Sequence, residues 1–415
     1  MLALGSLQGW HWEGLDIVTA FLYGDLTETI FMKQPEGFAI KGQEHKVLRL
    51  KKALYGLKQA SNSWWKALCK SLKRYGFKST RSDAGIFIFR YGKDYVILII
   101  YVDDLAFGGP NTRLTRKKKA EIMVHWECRD EGLLAHFVAL RIKSVDNVIT
   151  IDQQEYLKKV LERLGLTNAK TAKTPLPEGY KPVANTGTAT PQFRQSYQRA
   201  IGSLLYLMIG TRPDICFAVT KMAQFSSNPS QDHMDRVKHI GRYLAGTQDY
   251  TLKYDGASNE GLIHYTDSDW ASDPIKRRST TGFFGTLAGG AIHWTSRLQK
   301  SVALSSTEAE YMALSDCGRQ AAWLGSLFSE LGINLGPIPV CGDNQGSIFL
   351  ASNLLTEKRT KHIDIRYHYI RDLVEEETVA LFFTPGTDNP ADLLTKSLGH
   401  ILFSRFRSSL GLTFV

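Results

Sequence analysis

The chain of 415 residues is poor in cysteine: Cys69, Cys128, Cys216, Cys317 and Cys341 are scattered and form no Cys-x-x-Cys pair. That argues against a disulfide framework or a zinc ribbon and fits a reducing, intracellular setting. Long apolar runs are also missing. The strongest, "YVILIIYV", falls far short of the ~20 residues that span a bilayer. The opening "MLALGSLQGWHWEGL" carries neither the basic n-region nor the long h-region of a secretion signal. With no basic amphipathic anchor or lipidation motif either, no membrane partner is expected. Acid is in deficit: 41 Asp and Glu face 51 Lys and Arg, leaving a formal charge of +10. That sign points to a polyanionic partner, most simply nucleic acid. A hydrophobic fraction of 43% excludes global disorder. The length suggests about two to four domains.

What is present begins with short strands around one helix. "GLDIVTAFLYG" reads as a strand entering a turn or helix, and "ETIFMKQP" as a strand ended by Pro35. Trp64, Trp65, Leu68 and Leu72 recur at helical spacing, with Gly76 as the stop. The two tryptophans would serve as core plus rim, or as a stacking surface for bases. "GIFIFR" and "DYVILIIYV" predict an antiparallel pair around "YGK". "TRKKKAEIMVHWE" predicts a basic helix whose lysines are expected on a solvated face. "DQQEYLKKVLERLGL" predicts an amphipathic helix with Tyr156, Val160 and Leu164 on its stripe, closed by Gly165. Residues 170–192, with Pro175, Pro177, Pro182 and Pro191, read as a linker. Helical patterns fill 193–255, and 260–411 reads as an α/β domain.

Carboxylates stand out in two places. In "YVDDLAFGG", Asp103 and Asp104 follow a strongly apolar strand. Successive strand side chains alternate in direction, so both aspartates cannot continue one apolar face. Asp-Asp-x-x-x-Gly-Gly chemistry suits a turn; a hairpin tip offering carboxylate oxygens to magnesium is the alternative. In the second half, Asp267 and Asp343 end strand-like runs, Glu310 lies early in a long helix, and Asp392 opens "ADLLTK". Strand ends and helix starts face the crevice of an α/β sheet. Four carboxylates there could hold two magnesium ions ~4 Å apart and activate water against a phosphodiester. Individually, Asp267 would also serve as a turn residue and Asp392 as an acid favouring a helix N-terminus.

Within "SSTEAEY", the long helix has the apolar stripe Tyr311, Leu314, Cys317, Ala321, Leu324 and Phe328. Glu310 lies at the edge of that stripe, while Glu308, about 200° away at ~100° per residue, is expected to face solvent. Ser305 with Glu308, and Thr307 with Glu310, both have capping-box spacing.

These segments carry a resemblance. "YTDSDWASD", "RRSTTGFF", "AIHWTSRLQKSVALSSTEAEYMAL", "CGDNQGSI", "RTKHIDIRYHYIRD" and "NPADLLTK" resemble the ribonuclease H domain of copia-type LTR retrotransposons. "LDIVTAFLYGDL", "FMKQPEGF", "LKKALYGLKQA" and "YVDDL" resemble the reverse transcriptase palm of the same Pol polyproteins, and "YQRAIGSLLYLMIGTRPDICFAV" is similar to their connection. The segments occur in the family's order across residues 13–400. The resemblance implies an α+β reverse transcriptase palm, a mostly helical connection and an α/β ribonuclease H-like domain with a mixed five-stranded sheet. Their expected extents are 1–150 for palm and primer grip, 151–192 for a thumb-like helix and linker, 193–259 and 260–411. It implies that Asp16, Asp103 and Asp104 are the polymerase carboxylates, and Asp267, Glu310, Asp343 and Asp392 those of the ribonuclease. Each set would hold two Mg2+ ions, with Mn2+ as a substitute. Phe21 is implied to select deoxynucleotides, and Gly56, Lys58 and Gln59 to line the incoming nucleotide.

The implied partners are an RNA–DNA hybrid, an RNA template and a DNA primer, with deoxynucleotides for the full-length parent. The implied setting is intracellular, in a cytoplasmic virus-like particle and in the nucleus. Some residues depart from the family pattern: Ser61 stands for the usual proline, and Ala139 and Arg141 for the usual glycine and glutamate of the primer-grip strand "HFVALRI". Only 15 residues precede Asp16, so the family's fingers are expected to be missing and DNA synthesis by this chain to be impaired. "FFTPGTDNPAD" lacks the histidine that other ribonucleases H carry before their last aspartate. His362, Asp364 and His368 do not share a helical face, and Arg366 or Arg371 near phosphate is the expected use of that segment. The rival to an enzyme is a catalytically silent, basic nucleic-acid-binding remnant.

Overall fold

In the computed structural model, which describes residues 1–273, 276–353 and 365–414, the chain forms two compact units, Trp10–Val138 and Met1–Gly9 with Ala139–Val415. In the first unit the apolar runs Ile86–Tyr91 and Asp94–Tyr101 pair as antiparallel strands around Gly92, whose φ is +60°. The six-stranded sheet runs Lys78–Ser79, Ile86–Tyr91, Asp94–Tyr101, Asp104–Gly109, His11–Ile17, Cys128–Leu133. Central strands are covered, which is why "VIL" at 96–98 is uniformly apolar and fully buried.

Helix Ala60–Arg74 buries Trp64, Leu68 and Leu72 against this sheet's core, and Gly76 stops it with a φ of +81°. Trp65 is the rim, half-buried beside Phe87 with ring centroids 5.9 Å apart. The basic helix Thr112–His125 departs from expectation at two lysines, because Lys118 and Lys119 are buried. Lys119 bonds Glu13 at 3.1 Å and also reaches Asp130; Lys118 bonds the Tyr75 carbonyl at 3.0 Å and lies over the Phe89 ring. Burial alone would raise the Glu13 carboxyl pKa, but hydrogen bonds from Arg116 and Lys119 outweigh it and hold it low.

Asp94–Tyr101 and Asp104–Gly109 join through Val102 and Asp103 alone, since Tyr101 pairs with Asp104. Val102 has a φ of +58°, a left-handed conformation that a β-branched side chain tolerates poorly. Two bonds hold it there: the Trp64 indole Nε1 donates to the Val102 carbonyl at 2.8 Å, and the Ile17 amide donates to the Asp103 carbonyl at 3.0 Å.

In the second unit, Leu140–Val145, Val148–Asp152, Tyr250–Asp255 and Leu412–Phe414 lie side by side, all antiparallel. Residues 139–152 therefore cluster with this unit, because their hairpin pairs with Tyr250–Asp255. Ala139 has a φ of +59°, a left-handed conformation that the glycine expected there would adopt more readily. Arg141, the other departure in that strand, is tied to Asp152 at 3.0 Å. Helix Gln154–Arg163 buries Leu157, Val160 and Leu161, so its stripe is turned from the expected one; Tyr156 packs half-buried on Tyr206. Residues 170–190 form neither helix nor strand, but are anchored by Ala172 N to Arg242 O at 3.2 Å and Gly179 N to Ser397 O at 3.0 Å.

Helices Pro191–Gly210, Cys216–Ala223 and Gln231–Ala245 follow. A buried Arg212–Asp214 pair locks them, with Tyr243 donating to Asp214 at 2.6 Å. The last sheet has the order Gly290–Leu298, Thr280–Leu287, Ile263–Asp269, Ile338–Gly342, Val379–Phe383. Its first three strands are antiparallel and the last two run parallel to the middle one, the expected mixed five-stranded sheet. Helix Ser306–Glu330 covers it with the whole predicted stripe from Tyr311 to Phe328 buried. No helix among the described residues is long and apolar enough to cross a membrane.

The Val102 turn depends on the Trp64 indole. Trp64→Phe is expected to destabilise the chain by roughly 1–3 kcal/mol through a lost hydrogen bond and a cavity, read by urea unfolding. A stability equal to the parent's would show that the turn holds itself.

Two candidate carboxylate centres

Asp16 stands one residue before the end of His11–Ile17 and faces Asp104 as its antiparallel Cα partner. Asp103 is in the two-residue turn beside it. The Asp104 carboxylate accepts from the Val138 amide at 3.2 Å. Burial, and then the charges of Asp103 and Asp16, still hold its pKa above the ordinary value. The Phe21 ring packs on Tyr55 with centroids 4.6 Å apart. Burial and then the charge of Asp103 raise the Tyr55 phenol pKa. Tyr55 lies inside "LKKALYGLKQA", where no sequence pattern distinguishes it from its neighbours. Gly56, at a φ of +99°, has open space around it; Lys58 is exposed; Gln59 precedes helix Ala60–Arg74 and bonds Glu28.

The second centre is more tightly drawn. Ile263–Asp269 and Ile338–Gly342 are parallel neighbours with Tyr265 beside Cys341, so Asp267 and Asp343 emerge together at their C-terminal ends. Glu310 is delivered by its helix, and its Oε1 accepts from the Ser268 amide at 3.0 Å. Asp392 is carried by a 3-10 turn, Pro390–Leu394, rather than by the start of an α-helix. That turn is pinned by Asn389, whose Nδ2 donates to the Thr266 carbonyl at 2.9 Å and whose Oδ1 caps the Ala391 amide. It approaches the sheet over Gly282, where a methyl group would lie 2.7 Å from Leu394 Cβ. Only glycine permits that approach.

Asp267, Asp343 and Asp392 each bring a carboxylate oxygen within 4.8 Å of the others, the one such cluster of acids, histidines or cysteines among the described residues. Asp16, Asp103 and Asp104 adjoin but do not gather in this way. Burial is the largest cause of the raised pKa values at the second centre, and neighbouring carboxylates add to it. Asp392 is pushed up to about 7, Asp343 is raised, and Glu310 is raised well above the usual range. Two further residues of "NPADLLTK" belong here. The Thr395 hydroxyl donates to Asp267, and Lys396 Nζ lies 2.6 Å from Asp392 and 3.4 Å from Asp267. Burial opposes the Lys396 charge, but the two aspartates outweigh it and raise its pKa. Hard, closely spaced, buried carboxylate oxygens fit Mg2+ or Mn2+.

Glu308 is buried, not solvent-facing. Ser305 accepts from the Glu308 amide at 3.1 Å, and the Glu308 carboxylate accepts from the Leu304 amide at 2.8 Å, one residue beyond the expected cap. His362 and Asp364 lie outside the described residues. His368 Nδ1 meets the Tyr311 hydroxyl at 2.9 Å, and Arg371 donates to the Leu350 carbonyl at 3.0 Å.

A family model for reverse transcriptase (RNA-dependent DNA polymerase) matches residues 1–178. The chain is 38% identical over 420 residues to a retrovirus-related Pol polyprotein from transposon TNT 1-94 of Nicotiana tabacum, covering 99% of this chain and 32% of the relative. It is 31% identical over 304 residues to a transposon Ty5-1 protein of Saccharomyces cerevisiae, covering 73% of this chain and 98% of that one. The chain belongs to the copia-type retrotransposon Pol family. This Pol chain thus spans about a third of the length of its tobacco relative. Its fold is also that of a foamy viral protease–reverse transcriptase solved with an RNA/DNA hybrid, at a TM-score of 0.50 and 13% identity over 91% of this Pol chain and 44% of the other.

The raised Asp392 pKa has a consequence for stability. A carboxyl whose folded pKa exceeds its unfolded one stabilises the fold fully below the unfolded value and loses that contribution as pH rises through the folded value. Metal-free protein should therefore lose this contribution between about pH 4 and pH 7. Relative to the parent in EDTA, Asp392→Asn is expected to gain thermal stability from pH 5 to pH 8, by a few kcal/mol at most. A pH-independent difference in melting temperature would contradict it.

Proposed function

We propose that this chain hydrolyses the RNA strand of RNA–DNA hybrids at the Asp267, Glu310, Asp343, Asp392 centre, using divalent metal ions. The observation that carries this reading is the gathering of three carboxylate oxygens within 4.8 Å, those of Asp267 and Asp343 at the ends of adjacent parallel strands and that of Asp392 on the Pro390–Leu394 turn, with Glu310 fixed beside them. Mg2+ or Mn2+ bound there would supply an activated water and neutralise the developing charge on the phosphodiester. The chain's own residues hold the ligands in place: Ser268 orients Glu310, Thr395 orients Asp267, and Asn389 fixes the Asp392 turn. The chain's excess of Lys and Arg would bind the hybrid's phosphates without reading bases, so binding should weaken steeply with salt.

The palm centre supports the second half of the reading. Asp16, Asp103 and Asp104 would serve RNA-directed DNA synthesis in the parent polyprotein, with Phe21 beside the sugar of a deoxynucleotide and Gly56, Lys58 and Gln59 along it. Hydrolysis is the activity we assign first, because Asp267, Asp343 and Asp392 are the carboxylates gathered within 4.8 Å among the described residues. Tight hybrid binding with no cleavage in Mg2+ would favour a silent binding remnant instead.

With an end-labelled hybrid, Mg2+-dependent cleavage of the RNA strand is expected, and Asp267→Asn and Glu310→Gln should each reduce it by ~10²-fold or more while hybrid binding is retained. Glu308→Gln should keep cleavage and cost about 1 kcal/mol of stability by weakening the cap. Full cleavage by both Asp267→Asn and Glu310→Gln would overturn the assignment.

A further inference from the structure

Lys396 places a cation where the proposed metals would bind. It lies four residues after Asp392, so one helical-type turn carries its stem back over that carboxylate, with Nζ 2.6 Å from Asp392 and 3.4 Å from Asp267. Those carboxylates are two of the three whose oxygens cluster within 4.8 Å. The ammonium beside Asp267 and Asp392 and a divalent ion held at this centre would draw on the same pair of carboxylates. The geometry also shows how the contest can be resolved. Asp267 and Asp392 are held from behind by Thr395 and Asn389, whereas the Lys396 side chain is 37% exposed on a flexible four-carbon stem. The carboxylates stay and the ammonium can leave.

We propose that Lys396 is an internal counter-cation, occupying a cation position of the centre when no divalent ion is bound and withdrawing as one enters. Lys396 is thus a positioning residue: it keeps mutually repelling carboxylates in place, and it makes metal entry an exchange of one cation for another. The inference rests on the ribonuclease reading of this centre.

Mn2+ binding to the metal-free full chain, followed by electron paramagnetic resonance, tests it without any activity assay. Lys396→Met removes the competing charge and should tighten Mn2+ binding by roughly tenfold or more. Lys396→Arg retains a charge and should stay within about threefold of the parent, because the competitor is the cation and not the aliphatic stem. The rise in melting temperature on adding Mg2+ should be larger in Lys396→Met than in the parent, since the metal then neutralises carboxylates that no longer face the Lys396 ammonium. Should Lys396→Met fail to fold, Lys396→Gln makes the same comparison. Equal or weaker Mn2+ binding by the neutral variants overturns the exchange while leaving the metal centre intact. If Asp267→Asn binds Mn2+ as the parent does, the metal is held elsewhere, and the ribonuclease reading falls together with the exchange.

Discussion

Repulsion among buried carboxylates is the constraint around which the second centre is built. Asp267, Glu310 and Asp392 are each less than a tenth exposed, and Asp343 stands at the end of the adjoining strand. At short range and reduced dielectric, like charges of this kind repel by kilocalories rather than tenths. The architecture answers in three ways. It spreads the acids over two strands, a helix and a 3-10 turn, and ties Glu310 and the Asp392 turn to the strand of Asp267 through Ser268 and Thr266. It gives Asp267 and Glu310 a donor each, from Thr395 and Ser268. It adds one ammonium, Lys396. Burial first, and then the remaining imbalance, raises the carboxyl pKa values at Asp343, Asp392 and Glu310. A site left short of positive charge in this way has a standing affinity for cations.

The palm handles its acids differently. Asp16 and Asp104 face one another across an antiparallel ladder, and the tip between the strands is only two residues long. Backbone strain at Val102 replaces the network of side-chain donors, and the Trp64 indole holds it. One tryptophan thus connects core packing to the direction in which Asp103 and Asp104 point. Strain of this kind persists only where neighbours over-determine the conformation, which is why Trp64 is buried and not available to stack on bases.

Much of this was legible along the chain. Asp267 and Asp343 close apolar runs, and an aspartate that closes such a run in an α/β pattern belongs at a strand end. The stripe from Tyr311 to Phe328 fixed the face of the long helix and with it Glu310. What could not be read depended on partners distant in sequence or on geometry outside regular helices. Lys119 reads as a surface charge because its partner Glu13 is 106 residues away. Glu308 reads as exposed because its acceptor role is toward Leu304, in a loop whose path no periodicity gives. Lys396 and Asp392 look like an ordinary i,i+4 surface pair until the strand carrying Asp267 is brought beneath them. Asp392 looks like a helix start because an Asn-Pro-Ala-Asp sequence carries the same capping signal for a 3-10 turn as for an α-helix.

The overall charge of +10 and the acidic centre pull on a nucleic acid in opposite directions, and distance decides which prevails. Over the whole chain Lys and Arg outnumber acids, and in the proposed reaction their summed attraction would draw in a phosphate backbone. Screening limits any single charge to about 8–10 Å at physiological salt, so a phosphate that reaches the crevice meets the local field of Asp267, Glu310, Asp343 and Asp392 instead. Lys396 offsets them in part, and the charge that remains would repel it. Metal ions reverse that local sign. In the proposed reaction, hybrid capture and productive seating are therefore separate events: capture follows net charge, whereas seating of the scissile phosphate follows cation occupancy. On the proposed reading the acids would be a gate as much as a catalyst, because an anionic substrate would be admitted to them in company with the ions that the chemistry requires.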